Sequence, residues 1–205
     1  MRLSARDILG AVFAIAIAGV CIRLGFWQLD RLGQRRARNA IAAARLALPP
    51  LEVGRGTTAD SARQRRLVAR GVYDFGHEQI SPLKSFDGTP GVALVTPLRL
   101  YDGSVVLVDR GWVPSPDARH IDPSFYREAD TAIVEGIGSE GYDVAAFVLR
   151  ETGTAAPRGL PRRWPTPSLD DGPHLSYAIQ WFSFAVIIVV GTGALLRKTT
   201  VLAPS

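Results

Sequence analysis

The chain has 205 residues and a formal net charge of +5, with a sequence pI near 9.9 and a mean hydropathy of +0.10. Lysine occurs only at Lys84 and Lys198, so arginine carries the basicity, and the lone cysteine, Cys21, lies in an apolar run. That cysteine usage excludes a disulfide framework and a cysteine-based metal motif. A high pI raises nucleic-acid binding, but arginine-rich composition and charges beside membrane segments account for it. No nucleic-acid partner is expected.

Residues 1–7 are a short polar start. Ile8 to Trp27 is apolar apart from Arg23, whose long stem can reach an interface, and it predicts a transmembrane helix over residues 8–27. A signal peptide is the rival reading, since its apolar region has a similar length. Gly10, Ala14 and Ala18 recur every four residues, as in a ridge that lets a second helix approach; the bland account is that alanine is common in this run. Residues 28–65 read as a juxtamembrane helix followed by a loop. Ala37, Ile41, Ala44 and Leu48 share a face over Gln28–Leu48, Pro49-Pro50 stops the helix, and Val53 to Arg63 lacks periodicity.

Residues 66–150 change to a strand-like period. Leu67–Tyr73, Glu78–Leu83, Val92–Leu100, Val105–Val113, Ala132–Ile137 and Val144–Leu149 are the strand candidates, with Ser85–Gly91 a loop. Asp102-Gly103 between two of them is the preferred dipeptide of a tight hairpin turn. Val105 to Val108 is apolar on both faces, which predicts a covered central strand. Residues 151–176, with Pro157, Pro161, Pro165, Pro167 and Pro173, read as a proline-rich extended tether. Tyr177 to Leu196 holds no charge over about twenty residues, the length a helix needs to cross the hydrocarbon core. Residues 177–196 are therefore predicted as a second transmembrane helix, with Tyr177 and Trp181 one turn apart at its first end and Arg197-Lys198 opening the tail, residues 197–205. The fold class expected is an α+β membrane protein, two transmembrane helices flanking a small, mainly antiparallel β domain.

No Walker loop, Gly-x-Ser-x-Gly elbow or His-Glu-x-x-His occurs. His77 beside Asp74 is better read as a turn-exposed histidine than as an acid–base pair. Asp109-Arg110 after a buried strand is either a site or a structural ion pair. Charge does not settle orientation, because arginines follow the first span while both ends of the chain also carry positive flanks.

Several motifs taken in order resemble the SURF1 (Shy1-type) cytochrome oxidase biogenesis family. Leu24-Gly25-Phe26-Trp27-Gln28-Leu29-Asp30-Arg31 ends the first span like the family's Gly-x-Trp-Gln-x-x-Arg. Pro90-Gly91, Thr96-Pro97-Leu98 and Val108-Asp109-Arg110-Gly111-Trp112-Val113-Pro114 match its middle block. His174-Leu175-Ser176-Tyr177-Ala178-Ile179-Gln180-Trp181-Phe182 matches its second-span signature. The proline-rich stretch here is shorter than the ordered insertion of some members.

The resemblance implies an assembly factor rather than an enzyme, one that assists haem a insertion into cytochrome oxidase subunit I, with the haem a synthesis machinery as a further partner. It implies a bacterial plasma membrane with the β domain outside, residues 1–7 and 197–205 being cytoplasmic; the absence of a presequence before Ile8 points the same way. The mouth between the spans suits haem, an apolar plate with carboxylates at one edge. His174 is the candidate iron ligand, Trp27, Tyr177 and Trp181 the candidate walls, and Arg31 and Arg110 the candidate propionate partners. The bland alternative is an aromatic belt in the lipid bilayer with an interfacial histidine. Two other classes stay open: a chaperone that grips an oxidase subunit without haem, and a haem-modifying enzyme, which usually carries more intramembrane histidine.

The topology is testable. A reporter fused after Pro114 is expected to be active only outside the cytoplasm; cytoplasmic activity there, or a mature N-terminus near Val20, contradicts the two-span reading.

Overall fold

The computed structural model describes residues 4–141, 146–153 and 159–202. In chain order its elements are α1 (Ala5–Ala47), β1 (Leu51–Glu52), α2 (Ala59–Ala62), β2 (Arg66–Tyr73), β3 (Gln79–Phe86), β4 (Thr89–Leu100), β5 (Val105–Pro114), β6 (Thr131–Glu140), β7 (Phe147–Glu151) and α3 (His174–Leu202). They form two compact units, one of Met1–Ile41 with Leu169–Ser205 and one of Ala42–Ser168. This is the α+β membrane architecture expected, two long apolar helices flanking a mainly β domain.

The first unit holds the helix pair. The predicted span and juxtamembrane segment are one helix of 43 residues, because Gln28 to Ala47 is rich in alanine, arginine and leucine and contains no proline. Ser4 and Asp7 cap its start reciprocally, and it ends before Pro49-Pro50. Both long helices are long and apolar enough to cross a membrane, and their apolar stretches are mostly exposed, unlike the core helix of a soluble protein.

On α1 the buried positions Ala18, Cys21, Gly25, Gln28 and Leu32 alternate spacings of three and four, the pattern of a helix–helix seam. Ala18, Cys21 and Ala185 form its buried cluster, with Trp181 and Ile188 packed against it. The four-residue ridge expected from Gly10, Ala14 and Ala18 contributes only its last member to that cluster, and a Cβ added at Gly10 would meet nothing from another element within 4 Å. Small side chains let the helices approach where lipid gives no hydrophobic drive for association.

The second unit is a sheet in the order β1-β2-β6-β7-β5-β4-β3, and β2 also pairs with β4. That extra pairing closes β2, β6, β7, β5 and β4 into a small barrel. Gly71 permits it, because a Cβ there would stand 2.1 Å from the Arg99 carbonyl oxygen. Leu67, Ala69, Leu98, Val106, Val108, Val134 and Leu149 fill the interior. Strand β5 lies between β4 and β7, the central place expected; Val106 and Val108 are buried, but Val105 at its start is 55% exposed, so the run is covered only in part.

The Asp102-Gly103 turn forms as expected, with Gly103 at φ 83° and Asp102 accepting from the Ser104 amide at 2.8 Å. The predicted loop Ser85–Gly91 is instead a second tight hairpin. Asp87 and Gly88 both take positive φ, 49° and 77°, the requirement of a type I′ turn. Of the strand candidate Val144–Leu149, Val144 and Ala145 lie outside the described residues, and the strand runs over Phe147–Glu151.

The proline-rich stretch also departs from expectation. Pro157 lies outside the described residues, but Arg162 exchanges backbone hydrogen bonds with Trp112 at 2.7 and 2.8 Å, and Trp164 bonds to Glu151 and Gly153. The tether is docked on the sheet there, because its side chains complete a buried ionic cluster. Arg110 is wholly enclosed, donating to Glu78 at 2.6 Å, to Glu128 at 3.0 Å and to the Tyr126 carbonyl, with the Phe75 ring 5.0 Å away. Arg163 bridges Glu128 at 2.6 Å and Glu151 at 2.9 Å. Buried Asp109 accepts from Trp164 Nε1 at 2.6 Å and from Arg150 Nε at 3.3 Å.

Four carboxylates (Glu78, Asp109, Glu128, Glu151) thus meet three guanidiniums (Arg110, Arg150, Arg163). The surplus falls on Glu151, whose Oε2 is buried without a hydrogen-bond partner. Burial, reinforced by the charges of Glu128 and Asp109 and opposed by Arg163 and Arg110, raises its pKa to about 7. The folded state therefore binds this proton more tightly than the unfolded chain. The resulting stability is fully present below the ordinary glutamate pKa of about 4.3 and is lost as pH rises through about 7. The full effect is on the order of 3 kcal/mol. Unfolding of the barrel, followed by tryptophan fluorescence, is expected to become easier from pH 5 to pH 8. Glu151→Gln should flatten that slope, and an identical slope in the variant contradicts the assignment.

Candidate functional site

The mouth of the helix pair is built where the chain returns to α1. Pro173 precedes the first residue of α3 with its φ already suited to a helix start, and its carbonyl accepts from the Tyr177 amide at 3.1 Å and the Ser176 hydroxyl at 2.8 Å. His174 therefore sits on the first turn, as its sequence context predicted. Across from it on α1 is Gln28, only 9% exposed, and the two meet at 2.9 Å through His174 Nδ1 and Gln28 Oε1.

The segment just before α3 is fixed to α1 by polar contacts. Arg35 donates to the Asp170 carbonyl and carboxylate, both at 2.8 Å. Arg36 donates to the Asp171 carboxylate at 2.6 and 3.0 Å, which holds that carboxyl below its usual range. Asn39 donates to the carbonyls of Leu169 and Asp170. Each exposed contact is worth little alone, but together they fix which α1 residue His174 meets. Further along the pair, Gly25 leaves space for Phe182, whose ring would stand 2.6 Å from a Cβ there, and Phe26 meets that ring edge-on at 5.3 Å.

Trp27 is next to Gln28 on α1, and Tyr177 lies one turn after His174 on α3. Trp27 and Arg31 lie one turn apart, with the guanidinium 5.4 Å from the indole centroid. In an antiparallel pair of right-handed helices, residues just before the seam position of each helix fall on one flank. Trp27 precedes Gln28, Arg31 precedes Leu32 and Tyr177 precedes Ala178, three buried seam positions, so all three share that flank. Trp27 and Tyr177 are each 47% exposed. Arg31 donates to Gln34 at 2.9 Å. Trp181 is partly different from expectation: it packs on the Ala18–Cys21–Ala185 cluster and edge-on against Phe184 at 5.9 Å, so it is a seam residue as much as a wall.

Arg110 is a correction. It belongs to the barrel interior, its side chain is 0% exposed and its donors are engaged by Glu78, Glu128 and Tyr126. A guanidinium so enclosed is not open to a propionate, and the alternative left open for Asp109-Arg110 resolves to a structural ion-pair cluster. His77 and His120 are exposed and bonded to Asp74 and Asp117. Gln28 is a site residue that the motif alone does not single out; its sequence signal is one amide among Ala18, Cys21, Gly25 and Leu32 on a seam.

The two ends of the site come from the Trp27-Gln28 and His174–Phe182 motifs, and a family model described as SURF1 family matches residues 15–186, which include both. The chain belongs to the SURF1 family. Among its SURF1 relatives, an uncharacterised SURF1-like protein of Mycobacterium bovis is 24% identical over 221 residues, covering 89% of this chain and 80% of that protein. A SURF1-like protein of Monosiga brevicollis is 26% identical over 226 residues, covering 90% and 86%. One of Rickettsia felis is 31% identical over 100 residues, covering 45% and 41%. SURF1 membership suggests a role in oxidase assembly.

Proposed function

We propose that this SURF1-family chain is a membrane-anchored assembly factor for a haem–copper oxidase that holds haem a transiently at the helix-pair mouth and has no catalytic reaction of its own. On this reading it lies in a bacterial inner membrane with the barrel on the periplasmic side, and its partners are oxidase subunit I, the haem a synthesis machinery and the bilayer. The observation that carries the reading is the Gln28–His174 pairing at 2.9 Å, which joins the two signature motifs at one imidazole.

The donor set suits a haem better than a bare ion. Among the described residues no three His, Cys, Asp or Glu side chains are grouped to hold a metal ion. A single imidazole can hold a metal whose other ligands come from a macrocycle. Bound haem would bring a redox-active iron and two carboxylates. The chain's own contribution is binding and orientation: His174 as the axial base, Trp27 and Tyr177 as exposed aromatic surface, and Arg31 as a cation for a carboxylate edge.

The test is co-purification from cells that make haem a. His174→Ala is expected to lose its haem while the circular dichroism stays unchanged, because a partly buried residue on the first turn of α3 adds little to the helix content. His77→Ala and His120→Ala should keep both haem content and spectrum. Normal haem and an unchanged spectrum in His174→Ala would overturn the reading and favour a chaperone that holds subunit I without haem.

A further inference from the structure

His174 has two ring nitrogens, and either could be offered to a ligand. An imidazole in its neutral form carries one N–H and one lone pair, and only the lone pair binds a metal. Free histidine in water favours the proton on Nε2, which would leave the lone pair on Nδ1, the nitrogen that meets Gln28. The partner of the other nitrogen therefore matters.

We infer that Gln28 is a positioning residue that holds the proton on His174 Nδ1 and leaves the Nε2 lone pair free for a ligand. Three observations carry this. The contact is made by Nδ1, at 2.9 Å from the Gln28 amide oxygen. Gln28 sits in the seam at 9% exposure, where its oxygen is poorly served by water and an N–H from the facing helix is the natural donor. The approach is also not left to chance, because Arg35, Arg36 and Asn39 pin residues 169–171 to α1 just ahead of His174. A buried amide amid Ala18, Cys21 and Gly25 is otherwise an unfavourable choice for a seam, where an apolar side chain would pack without a polar atom to satisfy. Metal-binding histidines commonly donate their second N–H to an acceptor that sets tautomer and ring orientation, and loss of that acceptor typically costs about 10- to 100-fold in affinity.

The inference rests on the haem reading for its purpose but not for its first test, which needs no haem. Nitrogen NMR of the full chain in detergent, labelled at histidine and held well above the ordinary imidazole pKa of about 6.5, reads the tautomer directly. The His174 signals are assigned by their loss in His174→Ala. Nδ1 is expected at the protonated position and Nε2 at the unprotonated one. Gln28→Met, similar in size but a poor acceptor, should return His174 to the Nε2–H form, and Gln28→Glu, which can only accept, should keep the wild-type tautomer. An Nε2–H tautomer in the wild-type chain overturns the inference without any variant, as does a Gln28→Met spectrum identical to wild type. In haem-loaded protein, Gln28→Met should bind haem about 10- to 100-fold more weakly, and Gln28→Glu should restore binding and lower the haem reduction potential, since a carboxylate makes the imidazole a stronger donor. A chain with the expected tautomer that binds no haem would support the role of Gln28 and defeat the haem reading, so the two fail separately.

Discussion

The hydrogen bond between Gln28 and His174 joins residues 146 positions apart in sequence, and the helix pair is arranged so that it can form. Ala18, Cys21, Gly25 and Ala185 are small where α1 and α3 touch, so the backbones come close enough for two polar side chains to meet directly. The Arg35–Asp170 and Arg36–Asp171 pairs then set the level at which the returning chain enters α3. Without a hydrophobic drive between helices in lipid, packing of small residues and a few polar contacts must fix the register. The same register leaves Trp27, Arg31 and Tyr177 on one flank, so the geometry that aligns the helices also presents the aromatic and basic surface.

The barrel has a different organising element. Arg110 and Asp109, adjacent in β5, point into separate parts of one ionic cluster, and residues from the proline-rich stretch close it. Gly111 sits at φ 124° with the Arg162 carbonyl oxygen 2.3 Å from where a Cβ would be, so only glycine lets that stretch lie against β5. Thr96 donates to the same Glu78 carboxylate as Arg110, at 2.5 Å. The middle-block motif from Val108 to Pro114 and its Thr96-Pro97-Leu98 companion therefore read as parts of a structural clamp. Buried ion pairs contribute less net stability than their number suggests, but breaking one leaves a charge stranded, which is a reason for such residues to occur as a set.

Much of this was legible in the sequence. The uncharged run from Tyr177 to Leu196 has one structural solution in lipid, because a helix satisfies its backbone internally, and Asp102-Gly103 demanded a tight hairpin. The Asp87-Gly88 dipeptide carries the same signal, but Pro82 precedes it, and the strand leading into it is bulged between Ser81 and Lys84, so the alternation that marks a hairpin is weak there. Hydropathy falls at Gln28, but helix propensity does not, so α1 runs unbroken across that point. Arg163 and Trp164 in the proline-rich stretch meet acids 35 and 55 residues away, and no local pattern encodes partners at such separations. Arg110 follows the same rule: its chemistry suits a propionate, but Glu78 and Glu128, 32 and 18 residues away in sequence, enclose it.

The central claim is that the imidazole of His174 is the group this helix pair offers to haem iron. The most direct measurement is pulsed electron paramagnetic resonance on the full chain purified from haem a-producing cells with nitrogen-15 histidine. The account predicts hyperfine coupling from a histidine nitrogen at the iron that persists in His77→Ala and His120→Ala and vanishes in His174→Ala. Bound haem with no histidine coupling, or coupling that survives in His174→Ala, would contradict it.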